Sequence, residues 1–249
     1  MTLHPLAAQF AGVADSYDRG RPDYSPAVVG ALAAELQLAP GAPVLDLAAG
    51  TGKLTKALLA AGLDVVAVEP QAPLREMLIA SIGAQRVYEG LAEAIPLPDA
   101  SVDAVTAADA FHWFDRDAAL AEIRRVLRPG GGLALLSTFP DCSGASWAHD
   151  VGALMERARP EHPAFDRPPW REAVLAAGGW SAPREISVSF SQPASPERIA
   201  DYIASVSWVA AMPEDRRVEL LGQVATLLAA GEMPAELAVH AVIGLTAPV

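Results

Sequence analysis

Through the first 140 residues, short apolar runs alternate with stretches whose apolar positions recur at helical spacing. Strands are predicted near 43–48, 64–69, 102–108 and 132–138, and helices near 24–38, 52–62, 72–82 and 116–127. Alternation of this kind implies an α/β architecture with a parallel, doubly wound sheet. Ligands of such sheets lie across the carboxyl ends of the strands, where strand order reverses. The positions to watch therefore follow the strand ends: 46–52, Glu69, 91–93 and 108–113.

Beyond residue 140 the periodicity loosens. The proline-rich stretch from Arg159 to Trp170 suits neither a regular helix nor a central strand, and reads as a loop or insertion. Strand alternation returns over 185–191 and 237–246, with helices near 196–207 and 214–230 between them. Pro129-Gly130-Gly131-Gly132 reads as a helix stop and chain reversal into the next strand. A single domain is expected over 1–249, with a cofactor-binding core in 1–140 and cap elements plus the last strands in 141–249.

The stretch Val44-Leu45-Asp46-Leu47-Ala48-Ala49-Gly50-Thr51-Gly52-Lys53-Leu54-Thr55 carries the most chemistry. An apolar strand runs into a turn of small residues and directly into an amphipathic helix, whose first N–H groups point at whatever the turn holds. A side chain at Gly50 or Gly52 would block close approach of a ligand to the backbone. Glu69 ends the next apolar strand, where an acidic side chain accepts hydrogen bonds from ribose hydroxyls. Dinucleotide-binding turns place a third glycine where this chain has Thr55, and a pyrophosphate has no use for a carboxylate at Asp46. A cationic amino-acid ligand does, so the charge pattern favours a zwitterionic sulfonium cofactor over a diphosphate.

Four segments, in order, extend this reading: Asp46 to Gly52; Val68-Glu69-Pro70; Ala92-Glu93-Ala94-Ile95-Pro96-Leu97-Pro98-Asp99 leading into Val102-Asp103-Ala104-Val105; and Glu122-Ile123-Arg124-Arg125-Val126-Leu127-Arg128-Pro129-Gly130-Gly131. With them, the chain resembles the class I S-adenosylmethionine-dependent methyltransferases over roughly residues 5 to 140. The likeness is to their small-molecule branch, which includes trans-aconitate and ubiquinone-biosynthesis enzymes of the type 11 domain. The resemblance implies a Rossmann-like, seven-stranded sheet, mostly parallel with an antiparallel C-terminal hairpin, and a helical cap over the substrate. It implies methyl transfer from S-adenosyl-L-methionine to an oxygen, carbon or nitrogen of a small molecule by in-line displacement.

Carried onto this sequence, the resemblance assigns cofactor contacts to Asp46, Ala48, Gly50, Gly52, Glu69, Pro70, Leu91, Ala92, Glu93 and Asp109. Ala48 stands where relatives commonly have glycine. An aspartate frequent just before the Ala92-Glu93 turn is replaced here by Gly90 and Leu91. Tyr17 and Arg21, in the segment resembling the family's cofactor-covering strap, either close over the cofactor carboxylate or leave Arg21 to pair with surface acids.

In-line transfer depends on alignment, which supplies on the order of 7 to 11 kcal/mol in the best-oriented reactions, so no covalent nucleophile is expected. A general base is needed only where the attacking group carries a proton. His112, in Asp109-Ala110-Phe111-His112-Trp113-Phe114 just past the fourth strand, is the candidate, with core packing as its alternative reading. Trp113 is expected to line the pocket and Phe114 to fill core. Trp147, Trp170, Trp180 and Trp208 fall in the expected cap, and Trp147 is taken with His112 and Trp113 as a substrate contact. An apolar or aromatic acceptor follows.

Composition narrows the alternatives. A net charge of −12 with only 18 Lys and Arg argues against a phosphate-backbone partner. The single cysteine, Cys142, excludes an internal disulfide. Charges interrupt every apolar run before the roughly 18 to 20 residues that span a bilayer, and no signal-peptide pattern opens the chain. A cytoplasmic monomer or homodimer is expected. His4, His149, His162 and His240 are scattered without metal-ligand spacing, so no metal site is expected. A nicotinamide-dependent oxidoreductase is disfavoured by Thr55 and Asp46, while a cofactor-binding fold without transfer activity is the remaining alternative.

Overall fold

The computed structural model describes residues 3–159 and 169–249. Seven strands form one sheet in the order β3-β2-β1-β4-β5-β7-β6. They are β1 (Pro43–Leu47), β2 (Asp64–Val68), β3 (Val87–Tyr88), β4 (Val102–Ala108), β5 (Leu127–Asp141), β6 (Arg184–Pro193) and β7 (Glu236–Thr246). The first five run parallel, whereas β7 pairs antiparallel with both β5 and β6. Strand order reverses between β1 and β4, which puts the expected ligand crevice at their carboxyl ends.

Alternation along β1 divides the chain between two hydrophobic layers. Val44 faces a layer with Leu32 of α2 (Pro26–Glu35) and Leu58 of α3 (Lys53–Ala60). Leu45 and Leu47 face the other, with Leu120 and Ile123 of α5 (Arg116–Val126). Between these helices in the chain, α4 (Ala72–Ile82) buries Leu74 and Leu78. Capping follows local chemistry: Ser25 and Asp115 accept from the backbone N–H groups of Val28 and Ala118 at the starts of α2 and α5.

A third cluster forms the cap. It joins α6 (Ala148–Ala158), α8 (Pro196–Ala204), α9 (Ser207–Ala210) and α10 (Glu214–Ala230) around Trp147, Ile203, Trp208 and Val224. A short 3-10 helix, Ala7–Val13, runs into α1 (Ala14–Gly20), and α1 lies on α8 so closely that a Cβ at Gly20 would overlap the Tyr202 backbone.

Several elements differ from the sequence expectation. Helix α6 and helix α7 (Trp170–Ala177) lie where the pattern looked irregular; they bury only Val151 and Leu154, and Val174, too few positions to mark a period. The interior of the expected loop, 160–168, together with His162, lies outside the described residues. Pro129 to Gly132 do not reverse the chain. Helix α5 ends at Val126, β5 begins at once at Leu127, and the glycines form an irregularity within β5, whose pairing to β4 jumps from Val102↔Leu127 to Ala104↔Gly132.

Candidate active site

A cleft of about 1110 Å³ opens at the carboxyl ends of β1 and β4, between the sheet and the cap. Its base is the turn from β1 to α3, where Ala48, Gly50 and Gly52 all take positive φ, at 56°, 59° and 85°. Alternate left-handed residues bend the chain sharply enough to start α3 beneath the crevice. Gly50 lines the cleft, and a Cβ there would come 3.7 Å from the Tyr17 ring. Gly52 does not line it. Its Cβ would stand 2.5 Å from Leu78 Cδ1, so this glycine serves the turn and the packing of α3 on α4 rather than making room for a ligand.

Glu69, buried at the end of β2, lines the cleft and closes the turn. One carboxylate oxygen accepts from the Gly50 backbone N–H and the other from that of Gln71, both at 2.9 Å. Burial pushes its pKa up to about 7, against the pull of these two bonds. Pro70, Leu91, Ala92 and Glu93 line the same side. Glu93 also accepts from the Asp115 N–H at 2.8 Å, tying the turn after β3 to the start of α5.

Asp46 does not reach the cleft, contrary to the role expected of it. It shares the Val44 side of β1, where Thr55 Oγ1 of α3 donates to it at 2.6 Å and Thr106 Oγ1 of the paired β4 position at 3.1 Å. It is 1% exposed, lines only a cavity of about 20 Å³ behind the cleft, and burial raises its pKa to about 6. Thr55, where dinucleotide-binding turns have glycine, is the hydroxyl that keeps this carboxylate satisfied.

Asp109 follows β4 at φ 50° and lines the cleft. Thr138 donates to its two oxygens, from N–H at 3.4 Å and from Oγ1 at 3.1 Å, and burial raises its pKa while the charge of Arg21 opposes the rise. Arg21 does not pair with a surface acid. Its Nε donates to Ser205 Oγ at 2.9 Å, and its guanidinium lies over the rings of Tyr17 and Tyr202 at 5.3 and 5.0 Å. Tyr17 and Arg21 both line the cleft, and burial pushes the Tyr17 phenol up to about 12.

His112 is exposed on a short 3-10 helix, Phe111–Trp113, and lines the cleft with Trp113; their rings lie 4.3 Å apart. Phe114 is buried edge-on to Phe111 as expected of a core residue, but it also meets the cleft, so the expected division between lining and core is not clean. Trp147, expected at the substrate, is instead 4% exposed in the cap core, with its indole N–H buried and lacking a hydrogen-bond partner. Trp208 packs in the same core, Trp180 in the sheet core, and Trp170 against Gly244, where it donates to Glu185. Trp147 and Trp208 therefore fill the cap core, because the cap helices present those faces to one another, while Trp170 and Trp180 pack on the sheet side.

Residues passed over in the sequence complete the wall. His4 lines the cleft with its ring 5.1 Å from Trp113, and Phe10 meets Trp113 and Tyr17 edge-on at 6.0 and 5.6 Å. Tyr202 of α8 joins them. No local pattern marks His4 or Phe10, since the Trp113 that both meet lies about a hundred positions away.

A methyltransferase domain model matches residues 45–135, which spans β1 through the first half of β5. Over 226 residues, 90% of this chain and 87% of the relative, the sequence is 36% identical to an uncharacterized methyltransferase of Mycobacterium tuberculosis (strain ATCC 25618 / H37Rv). A protein assigned as a type II methyltransferase from Anaeromyxobacter dehalogenans superposes with a TM-score of 0.57 at 28% identity, covering 92% of this chain and 97% of that one. A methyltransferase from Thiobacillus denitrificans, solved in complex with S-adenosyl-L-homocysteine, shares the fold at TM-score 0.53 and 18% identity, covering 96% and 97%.

Proposed function

The chain belongs to the class I S-adenosylmethionine-dependent methyltransferases, and from that premise we propose that it methylates a small molecule held in the cleft between sheet and cap. The observation that carries the reading is the pairing of a bare Gly50 backbone with a buried Glu69 carboxylate at the base of the cleft. Glycine leaves room for an amino-acid moiety against the turn, and the carboxylate is an acceptor for paired ribose hydroxyls. Leu91, Ala92 and Glu93 provide the apolar and backbone surface an adenine requires, while Tyr17 and Arg21 cover the opposite side. Asp109 lies beside Arg21 on that side and supplies the carboxylate for a cationic group, the part that buried Asp46 does not take.

When bound, S-adenosylmethionine supplies a methyl group activated by its sulfonium charge. The protein's part is to orient the acceptor, exclude water beneath the strap and cap, and take up a proton. His112 Nδ1 or Nε2 receives that proton where the attacking group is a hydroxyl or an acidic carbon.

Calorimetric titration with S-adenosylmethionine, S-adenosylhomocysteine and reduced nicotinamide dinucleotide tests the reading before an acceptor is known. Binding of the first two at micromolar level, without the third, is the expected result. Binding of the nicotinamide alone, or of none of the three, would overturn it.

A further inference from the structure

Residues 3–17 do more than cover the base of the cleft. His4 and His112 approach the Trp113 indole from two different segments, with ring separations of 5.1 and 4.3 Å and tilts of 40° and 51°. Phe10 stands edge-on to Trp113 and to Tyr17, at interplanar angles of 72° and 74°. The result is a continuous wall of five rings, three of them from the amino-terminal segment. Ring faces and edges set at these angles receive another planar ring well, because aromatic pairs favour tilted and edge-on contact.

The charge of the cleft restricts which ring. Its lining carries six carboxylates, among them Asp115, Asp117 and Glu172, against two guanidiniums, Arg21 and Arg116, and no lysine. Arg21 is already bonded to Ser205, and Arg116 lies 5.7 Å from the centroid of the Phe111 ring. A carboxylate or phosphate on the acceptor would enter a predominantly negative field.

We propose that the acceptor is an uncharged aromatic bearing a hydroxyl, and that His4 and Phe10 of the amino-terminal segment are specificity-determining residues that hold its ring against Trp113. This rests on the methyltransferase reading and adds the acceptor class to it. His4 Nδ1 accepts from the Leu6 backbone N–H at 3.2 Å, so the lone pair of a neutral His4 is already engaged and the base role is left to His112. In the reaction the hydroxyl O–H bond breaks as the new O–CH3 bond forms. The proton passes to an imidazole nitrogen of His112 and on to water, and the methyl's former bonding pair stays with sulfur.

The test compares catechol with 3,4-dihydroxybenzoate, which differ by one carboxylate, in a radiolabelled methyl-transfer assay with the full-length protein. S-adenosylhomocysteine affinity is measured in parallel. The proposal expects kcat/KM for catechol to exceed that for the acid at least tenfold. Removing one ring contact in His4→Ala should raise the catechol KM by up to about tenfold, leaving homocysteine-nucleoside affinity within twofold, and His4→Phe should restore most of the loss. Equal or reversed preference, transfer to neither ring by a protein that still binds S-adenosylhomocysteine, or an unchanged KM in His4→Ala each overturns the proposal. Failure of the wild-type protein to bind S-adenosylhomocysteine is a different result and overturns the methyltransferase reading itself.

Discussion

The backbone N–H of Gly50 donates to a carboxylate oxygen of Glu69 at 2.9 Å, joining the turn after β1 to the end of β2. Because burial holds this carboxyl near pH 7, its charge state changes within the working range of most enzymes. Charge-assisted bonds to ribose hydroxyls require the ionised form. S-adenosylhomocysteine affinity should therefore weaken severalfold as pH falls from 8 to 6, and Glu69→Gln should flatten the profile. Glu69→Ala should lose about 1.5 to 3 kcal/mol of binding at pH 8. An affinity unaltered by either substitution would place the ribose elsewhere.

The same carboxyl puts a slope on stability. Its folded pKa of about 7 lies above the ordinary 4.5, so across that window the folded chain binds more protons than the unfolded one. Its contribution to stability therefore falls as pH rises from 4.5 to 7. The urea midpoint of Glu69→Gln, measured relative to wild type, should increase between pH 5 and pH 7.5. A difference that shrinks over this range would contradict the assignment.

Thr55 keeps a buried charge in hydrogen-bond contact. Thr55→Val preserves shape but removes the donor 2.6 Å from Asp46, and should cost about 1 to 3 kcal/mol in denaturant unfolding. Thr55→Ser retains the hydroxyl and should lose less. Equal stabilities for the two variants would show that the hydroxyl carries no weight.

Gly20 sets how closely α1 approaches α8. A methyl there would overlap the Tyr202 backbone, and the helices would have to part. Parting also shifts Arg21, which reaches Ser205 from the next position. Gly20→Ala is expected to destabilise by about 1 to 3 kcal/mol and to weaken S-adenosylhomocysteine binding. Gly12→Ala, whose new methyl meets only open space, should leave that binding unchanged. Calorimetry and thermal melts on both variants check the contrast.

For an acceptor with a proton to lose, His112→Asn should lower kcat about 10²- to 10⁴-fold while leaving cofactor affinity near wild type. Raising pH should recover part of the rate as the acceptor ionises unaided. Undiminished turnover would remove His112 from proton transfer.

What was legible beforehand was local. The strand and helix periods of residues 43–82 and 102–126, the small-residue turn at 48–52 and the acidic end of β2 are each written within a few neighbouring positions, because strand alternation, helical spacing and positive φ are properties of short segments, whereas β3, only two residues long, shows no period and was not expected. Those signals were enough for a doubly wound sheet with its crevice at the right edge. Helices α6 and α7 escaped because each buries too few residues to repeat.

By itself, then, the sequence determined the architecture and the base of the cleft. Only the tertiary structure decided what faces that base. Asp46 turned toward Thr55 because α3 packs on the Val44 side of β1, a matter of helix placement rather than of β1. Trp147 and Trp208 became core because the cap helices bury their apolar faces in one another. His4 and Phe10 became lining because the amino-terminal segment crosses the cleft to reach Trp113. Contacts between residues a hundred positions apart depend on how whole elements pack, and no short pattern in either partner records them.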